Sequence, residues 1–110
     1  FNKEISDMRI KNRLYNNTLY IMLCGELDEC SANYTRSLID DLLDNSEIYK
    51  QVIFDLSELE FMDSTGIGVL IGRYKKLKNK NIPIYICNAS NHVEKIFKMS
   101  GLYEIMPKIS

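Results

Sequence analysis

The segment Phe61-Met62-Asp63-Ser64-Thr65-Gly66-Ile67-Gly68 sets a hydroxyl directly after a carboxylate and just ahead of three glycines, Gly66, Gly68 and Gly72. Upstream, Gln51 to Leu56 is a short apolar run with β-branched and aromatic residues and reads as a buried strand. Downstream, Ile67, Leu70, Ile71, Tyr74 and Leu77 recur at three- and four-residue spacing, which predicts a helix with that face toward a core. Ser64 therefore stands where a strand hands over to a helix. The first amides of a helix lack partners within it, and its aligned peptide dipoles favour an anion. A hydroxyl in that place is suited to accept a phosphoryl group. Asp63 is the natural N-cap, its side-chain oxygen accepting from the amides that follow, and Thr65, already inside the helix, is the weaker acceptor.

The glycines need a reason. Each costs about 0.8–1 kcal/mol relative to alanine inside a helix, so the three together cost roughly 2–3 kcal/mol. On a wheel of about 100° per residue, Thr65, Gly68, Val69 and Gly72 fall mostly opposite the Ile67/Leu70/Ile71/Tyr74 face. The side near Ser64 is then almost without side chains, with Val69 as a lone apolar contact, a surface that another protein's backbone can approach. Thr65, Gly66, Gly68, Val69 and Gly72 are accordingly assigned to partner docking beside the phosphoacceptor Ser64, together with Asp63 and Asp28. The competing reading is that the glycines only let the helix lie close on its sheet.

Composition narrows the classes. The chain has 110 residues, 14 basic and 15 acidic, for a net charge of −1. That length makes one domain burying somewhat over ~60% of its unfolded surface. The scattered charge argues against nucleic-acid binding, which needs a concentrated basic face. No apolar run nears the ~20 residues of a membrane span, and no secretory signal opens the sequence. The first residue is Phe1, so residues that precede it are expected to be missing. Cys24, Cys30 and Cys87 form no C-x-x-C pair. Cys24 and Cys87 lie in strand-like runs and read as small buried hydrophobes of a reducing, cytoplasmic setting. His92 is the single histidine and reads as a surface residue of a first helical turn, so no metal cluster is expected.

The elements that carry these residues follow from period and punctuation. Met8 to Leu14 alternates, Asn16-Asn17 offers a turn and Thr18 to Cys24 is strand-like, which predicts a β-hairpin. After Gly25-Glu26-Leu27-Asp28, Ser31 is placed to cap a helix with core face Leu38, Ile39, Leu42 and Leu43, ending near Asn45-Ser46. The strand at 51–56 and the glycine-bearing helix come next. A polar loop at Lys78 to Asn81 leads to a strand over Ile82 to Cys87 that opens at Pro83. A third helix is capped by Ser90 or Asn91, packs Val93, Ile96 and Phe97, and stops at Gly101. Ile105-Met106 reads as the start of a last strand. The class is α/β: one domain, a mixed and mostly parallel sheet opened by a hairpin, with helices after strands 2, 3 and 4. Sites in such sheets gather beyond the strands' carboxyl ends, which puts Asp28, Asp63 and Ser64 on one edge. Asp28 is placed to accept from the Ser64 hydroxyl or to be a solvated loop acid; Glu26 and Arg73 are candidates to pair with a partner's charges.

The stretches FMDSTGIGVLIGRYKKLK (61–78), GELD (25–28) and IFKMSGLY (96–103) resemble the STAS-domain anti-anti-sigma factors, and within them the sporulation, sigma-F type. The likeness runs over nearly the whole chain; DSTG alone marks the broad family, and GRYK and FKMSGL narrow it. The resemblance implies that Ser64, the serine of D-S-[ST]-G, is phosphorylated by an anti-sigma factor that is itself an ATP-dependent serine kinase. It implies that the unphosphorylated form binds that kinase and displaces the sigma factor, and that a protein serine phosphatase restores the serine. The protein is then a switch and a kinase substrate, and no enzyme. An antagonist of another pathway, such as general stress, is the alternative within the family. Its members usually carry a further C-terminal helix, for which nothing remains before Ser110.

Three other classes compete. A serine hydrolase needs a base bonded to Ser64 and a G-x-S-x-G elbow, and the chain has D-S-T-G with one distant histidine. A nucleotide-binding regulatory module is suggested by glycines at a helix start, yet the lysine of G-x-x-x-x-G-K-[ST] is absent and Asp63 repels a polyphosphate. No cofactor is expected. A passive scaffold of the same fold is the third.

Overall fold

Two consecutive asparagines turn the opening hairpin. Asn16 and Asn17 adopt φ of 50° and 62°, the paired left-handed conformation whose twist suits a two-residue hairpin turn. They join β1 (Arg9–Tyr15) to β2 (Thr18–Leu27) as an antiparallel pair, with Tyr15 opposite Thr18 and Arg9 opposite Cys24. A computed structural model describes residues 8–109 of the chain.

Beyond the hairpin come α1 (Ala32–Asn45), β3 (Gln51–Asp55), β4 (Leu59–Met62), α2 (Ser64–Lys78), β5 (Ile84–Cys87), α3 (Asn91–Ser100) and a 3-10 turn at Leu102–Glu104. The sheet runs β1-β2-β3-β5, with β4 paired to the far end of β2. Every pairing after the hairpin is parallel. The expected mixed, mostly parallel sheet is therefore present, with one strand more than the sequence pattern indicates. The helices follow strands 2, 4 and 5 in consequence. β4 escapes a period-two reading because Leu59 and Met62 are buried while Glu60 and Phe61 between them are exposed. Its pairing with β2 also slips in register at Gly25/Glu26, where Gly25 takes φ 111°.

Strand alternation places the core. Leu19, Ile21 and Leu23 of β2, Val52 and Phe54 of β3, and Ile84 and Ile86 of β5 are fully buried with Ile39, Leu43, Leu70, Leu77, Val93 and Phe97 of the helices. Leu38 and Leu42 are only half-buried, so α1 turns its Ile39/Leu43 side inward. Ser90 caps α3 by accepting from the Val93 amide, and Gly101 ends it at φ 76°. The last pairing lies later than expected. Met106 is buried after the 3-10 turn, and residues 107–109 run along the outer edge of β5, Ile86 N donating to Pro107 O at 2.9 Å and Ile109 N to Ile86 O at 2.8 Å.

The seating of α2 corrects two expectations. Its buried residues are Gly66, Val69, Leu70, Arg73 and Leu77, while Ile67, Ile71 and Tyr74 are half-buried. The inward face is thus turned by most of one residue step (~100°) from the one the apolar spacing suggests. Val69, expected outward, is 0% exposed, and Arg73, expected to meet a partner, is 8% exposed. Arg73 Nε lies 2.9 Å from Asp40 Oδ1 of α1 as an ion pair without hydrogen-bond alignment, and its Nη1 donates to Val69 O. Burial holds the Arg73 pKa below its ordinary value, and the Asp40 carboxylate offsets only part of that. Charge complementarity keeps the side chain inside, clasping α2 to α1.

Candidate functional site

Asp63 organises the start of α2. Its Oδ1 accepts from Thr65 N at 2.9 Å and Gly66 N at 3.1 Å, the N-cap expected of an aspartate there. Its Oδ2 accepts from Glu29 N at 3.3 Å, so one carboxylate ties the helix to the loop that follows β2. The Asp63 amide in turn donates to Leu27 O at 3.3 Å. The carboxyl ends of β2 and β4 meet here, and Leu27 pairs with Met62.

Gly66 is required by that junction. A Cβ added to it would lie 2.7 Å from Leu27 O and 2.6 Å from Met62 Cγ. For this glycine the close-packing explanation holds, and it is buried away from any partner. Gly68 and Gly72 differ, since an added Cβ on either meets nothing within 4 Å. Ser64 and Gly68 are exposed and Gly72 and Thr65 half-buried, giving a narrow strip of small residues along the outer side of α2. The bare surface predicted beside Ser64 therefore exists without Val69.

The loop after β2 is wired to itself. Asp28 Oδ1 accepts from Cys30 N and Ser31 N, at 3.0 and 3.1 Å. None of the hydrogen bonds among the described residues joins Asp28 to Ser64, so of its two readings Asp28 fits the loop acid rather than the holder of that hydroxyl. Ser31 occupies the N-cap position of α1 but makes no capping bond with its side chain. Its hydroxyl instead donates to Glu26 O at 2.7 Å and accepts from Asp28 N at 3.1 Å. Glu29 and Cys30 are exposed on the same loop, and Glu26 is exposed near the end of β2. The tie from Glu29 to Asp63 is a backbone contact between distant segments, for which the residue types give no signal.

Phe61 and His92 stack beside this edge, with ring centroids 5.5 Å apart and planes at 15°. Both are exposed, Phe61 at 39%. His92 is thus a first-turn surface residue, as expected. Cys24 is buried, and burial followed by Glu58 raises its pKa; Cys87 is half-buried rather than fully so. Among the described residues, no group of three His, Cys, Asp or Glu side chains is arranged to hold a metal ion, and no helix is long and apolar enough to cross a membrane.

The mixed sheet opened by a hairpin, with helices after strands 2, 4 and 5, is the fold of a known class. The STAS domain family model matches residues 9–110, and the chain belongs to that family. It is 32% identical over 101 residues to the anti-sigma F factor antagonist of Paenibacillus polymyxa, covering 92% of this chain and 86% of that one. It is 28% identical over 88 residues to the anti-sigma-B factor antagonist of Listeria monocytogenes, covering 78% and 74%. The solved structure of the anti-sigma factor antagonist SpoIIAA in its unphosphorylated form superposes with a TM-score of 0.75 at 28% identity, over 93% of this chain and 89% of that one.

Proposed function

We propose that this protein is an anti-sigma factor antagonist switched by phosphorylation of Ser64. The unphosphorylated chain binds an anti-sigma factor that is also a serine kinase and frees the sporulation sigma factor, sigma-F; the kinase then modifies Ser64 and a phosphatase reverses the modification. The observation that carries this reading is the exposure of Ser64 at the start of α2, beside the small-residue strip of Gly68 and Gly72. The likeness to SpoIIAA, solved in a form described as unphosphorylated, supports phosphorylation as the switch.

Local chemistry explains how one modification acts. The amides of Thr65 and Gly66 are already taken by Asp63, so a phosphate on Ser64 does not gain them without displacing the cap. It projects outward as about −1.5 to −2 charges next to the Asp63 carboxylate. Drying that dianion against a partner costs several kcal/mol unless new cations meet it, and ~4 kcal/mol is about a thousandfold in affinity. Docking is blocked while the fold is unchanged. Glu26 and Thr65 line the same edge and belong to the docking surface; Val69, Gly66 and Arg73 serve the fold.

Antagonism of a sigma-B type factor is the second reading, favoured by the similarity to the Listeria protein. Both readings are tested by incubating the chain with purified anti-sigma-F and anti-sigma-B kinases and ATP, followed by peptide mass spectrometry. A single phosphate on Ser64, added by the first kinase, is the expected result. Modification by the second kinase alone reassigns the pathway, and a phosphate elsewhere refutes the site.

A further inference from the structure

Among the described residues, the sheet closes one edge and leaves the other open. Residues 107–109 run along β5, whereas β1 is the outermost strand of the opposite side. β1 has seven residues, all but Ile10 exposed. On an edge strand every second residue turns its N–H and C=O away from the neighbouring strand, ready for another chain.

Its side chains alternate by type. Arg9, Lys11 and Arg13 lie opposite Cys24, Met22 and Tyr20 of β2, on the sheet face turned away from the core residues Leu19, Ile21 and Leu23. None of the three cations takes part in an ion pair among the described residues. Beside them lies an open trough of about 520 Å³ lined by Lys11, Arg13, Tyr15, Tyr20, Met22 and Asp55. Ile10 and Leu14 occupy the other face of β1, half-buried and 38% exposed respectively.

Like charge disfavours a second copy as the occupant. Pairing β1 antiparallel with itself about Asn12 sets Lys11 against Arg13, and pairing it about Lys11 sets Lys11 against Lys11 and Arg9 against Arg13. Such cross-strand contacts are destabilising, and opposite charges in the same places are favourable. A strand laid alongside β1 puts the residue opposite each cation on the cations' face, because side chains repeat with a period of two.

We propose that β1 is a docking edge for an extended acidic segment of a partner protein, with carboxylates at alternate positions meeting Arg9, Lys11 and Arg13 and apolar residues between them covering Ile10 and Leu14. This site lies on β1, whereas Ser64 opens α2, and it stands independently of the antagonist reading.

The test uses 15N-labelled protein and two synthetic seven-residue peptides, one alternating Glu with Val and one alternating Lys with Val. The acidic peptide is expected to shift amide signals of residues 9–15 and 20–22. Its affinity should fall with rising salt and drop at least tenfold in the Lys11→Glu/Arg13→Glu variant. The milder Lys11→Gln/Arg13→Gln variant, whose amide spectrum reports folding, should weaken it less. No binding at millimolar peptide, equal binding of the lysine peptide, or shifts centred on residues 63–72 overturns the proposal. Equally tight binding of single-stranded DNA or anionic lipid vesicles to β1 also overturns it, because the site is then a general polyanion surface.

Discussion

Three alanine substitutions in one helix should move stability in opposite directions. Gly68→Ala and Gly72→Ala each add a methyl group with nothing within 4 Å of it, so each gains helix propensity of about 0.8–1 kcal/mol. Gly66→Ala gains the same propensity but drives its Cβ to 2.7 Å from Leu27 O, 2.6 Å from Met62 Cγ and 2.9 Å from Leu27 Cγ. The Met62 side chain can swing aside. The Leu27 carbonyl is held by the Asp63 amide and by its place at the end of β2, so helix and sheet must separate. Overpacking of that kind costs about 1–3 kcal/mol, with a fixed backbone atom placing it at the upper end. After the propensity gain the net loss is about 1–2 kcal/mol. Gly66→Ala and Gly68→Ala should then differ by about 2–3 kcal/mol, or roughly 8–12 °C in Tm. Urea unfolding measures this as midpoints moving apart at an unchanged slope. Gly68→Ala and Gly72→Ala should also weaken partner binding, since their methyl groups stand on the proposed docking strip. A Gly66→Ala protein as stable as the parent would refute the close-approach argument, and a Gly68→Ala protein less stable than the parent would refute the open-surface one.

Other expectations concern the supports of the site. Asp63→Ala removes a cap and the tie to Glu29, and should lower unfolding free energy by about 1–2 kcal/mol in urea titrations. Asp40→Asn leaves the buried Arg73 without its counter-charge and should cost about 1–3 kcal/mol, more than Lys76→Ala, which removes partly exposed pairs to Asp40 and Asp44. Glu94 accepts from Lys108 and Tyr103, which lower its pKa from an ordinary 4.5 to about 2. A depressed carboxyl stabilises the fold above its unfolded pKa, and that contribution fades as pH falls from about 4.5 toward 2. Amide signals of residues 94–109 followed in acid should report it, and Glu94→Gln should flatten the dependence.

Local punctuation was legible in the residues and tertiary contact was not. Asn16-Asn17 fixes the hairpin and Gly101 ends α3 because left-handed backbone restricts which side chains can sit there. Asp63 as a cap and Ser64 as an exposed hydroxyl follow from where an apolar period begins. β4 was hidden because four residues with Glu60 and Phe61 both outward carry no alternation. Apolar spacing points to a different face of α2 because it counts Ile67, Ile71 and Tyr74, whereas the fold also buries Arg73 through Asp40 on another helix. The distinction between Gly66 and the other two glycines depends on the position of Leu27 O, a backbone atom nearly forty residues away in sequence. Asp28 carries the same limit: a carboxylate in GELD is compatible with holding Ser64 or with capping its own loop, and only the fold selects Cys30 N and Ser31 N.

The central claim is that charge at one exposed oxygen turns binding off while leaving the domain intact. Calorimetric titration of the purified anti-sigma kinase with the protein before and after enzymatic phosphorylation, paired with amide spectra of both forms, tests it directly. The account predicts an affinity loss near a thousandfold, spectral changes confined to the neighbourhood of Ser64, and no loss for Ser64→Ala in the presence of ATP. Equal affinity of the two forms, or a spectrum altered throughout the sheet, would contradict it.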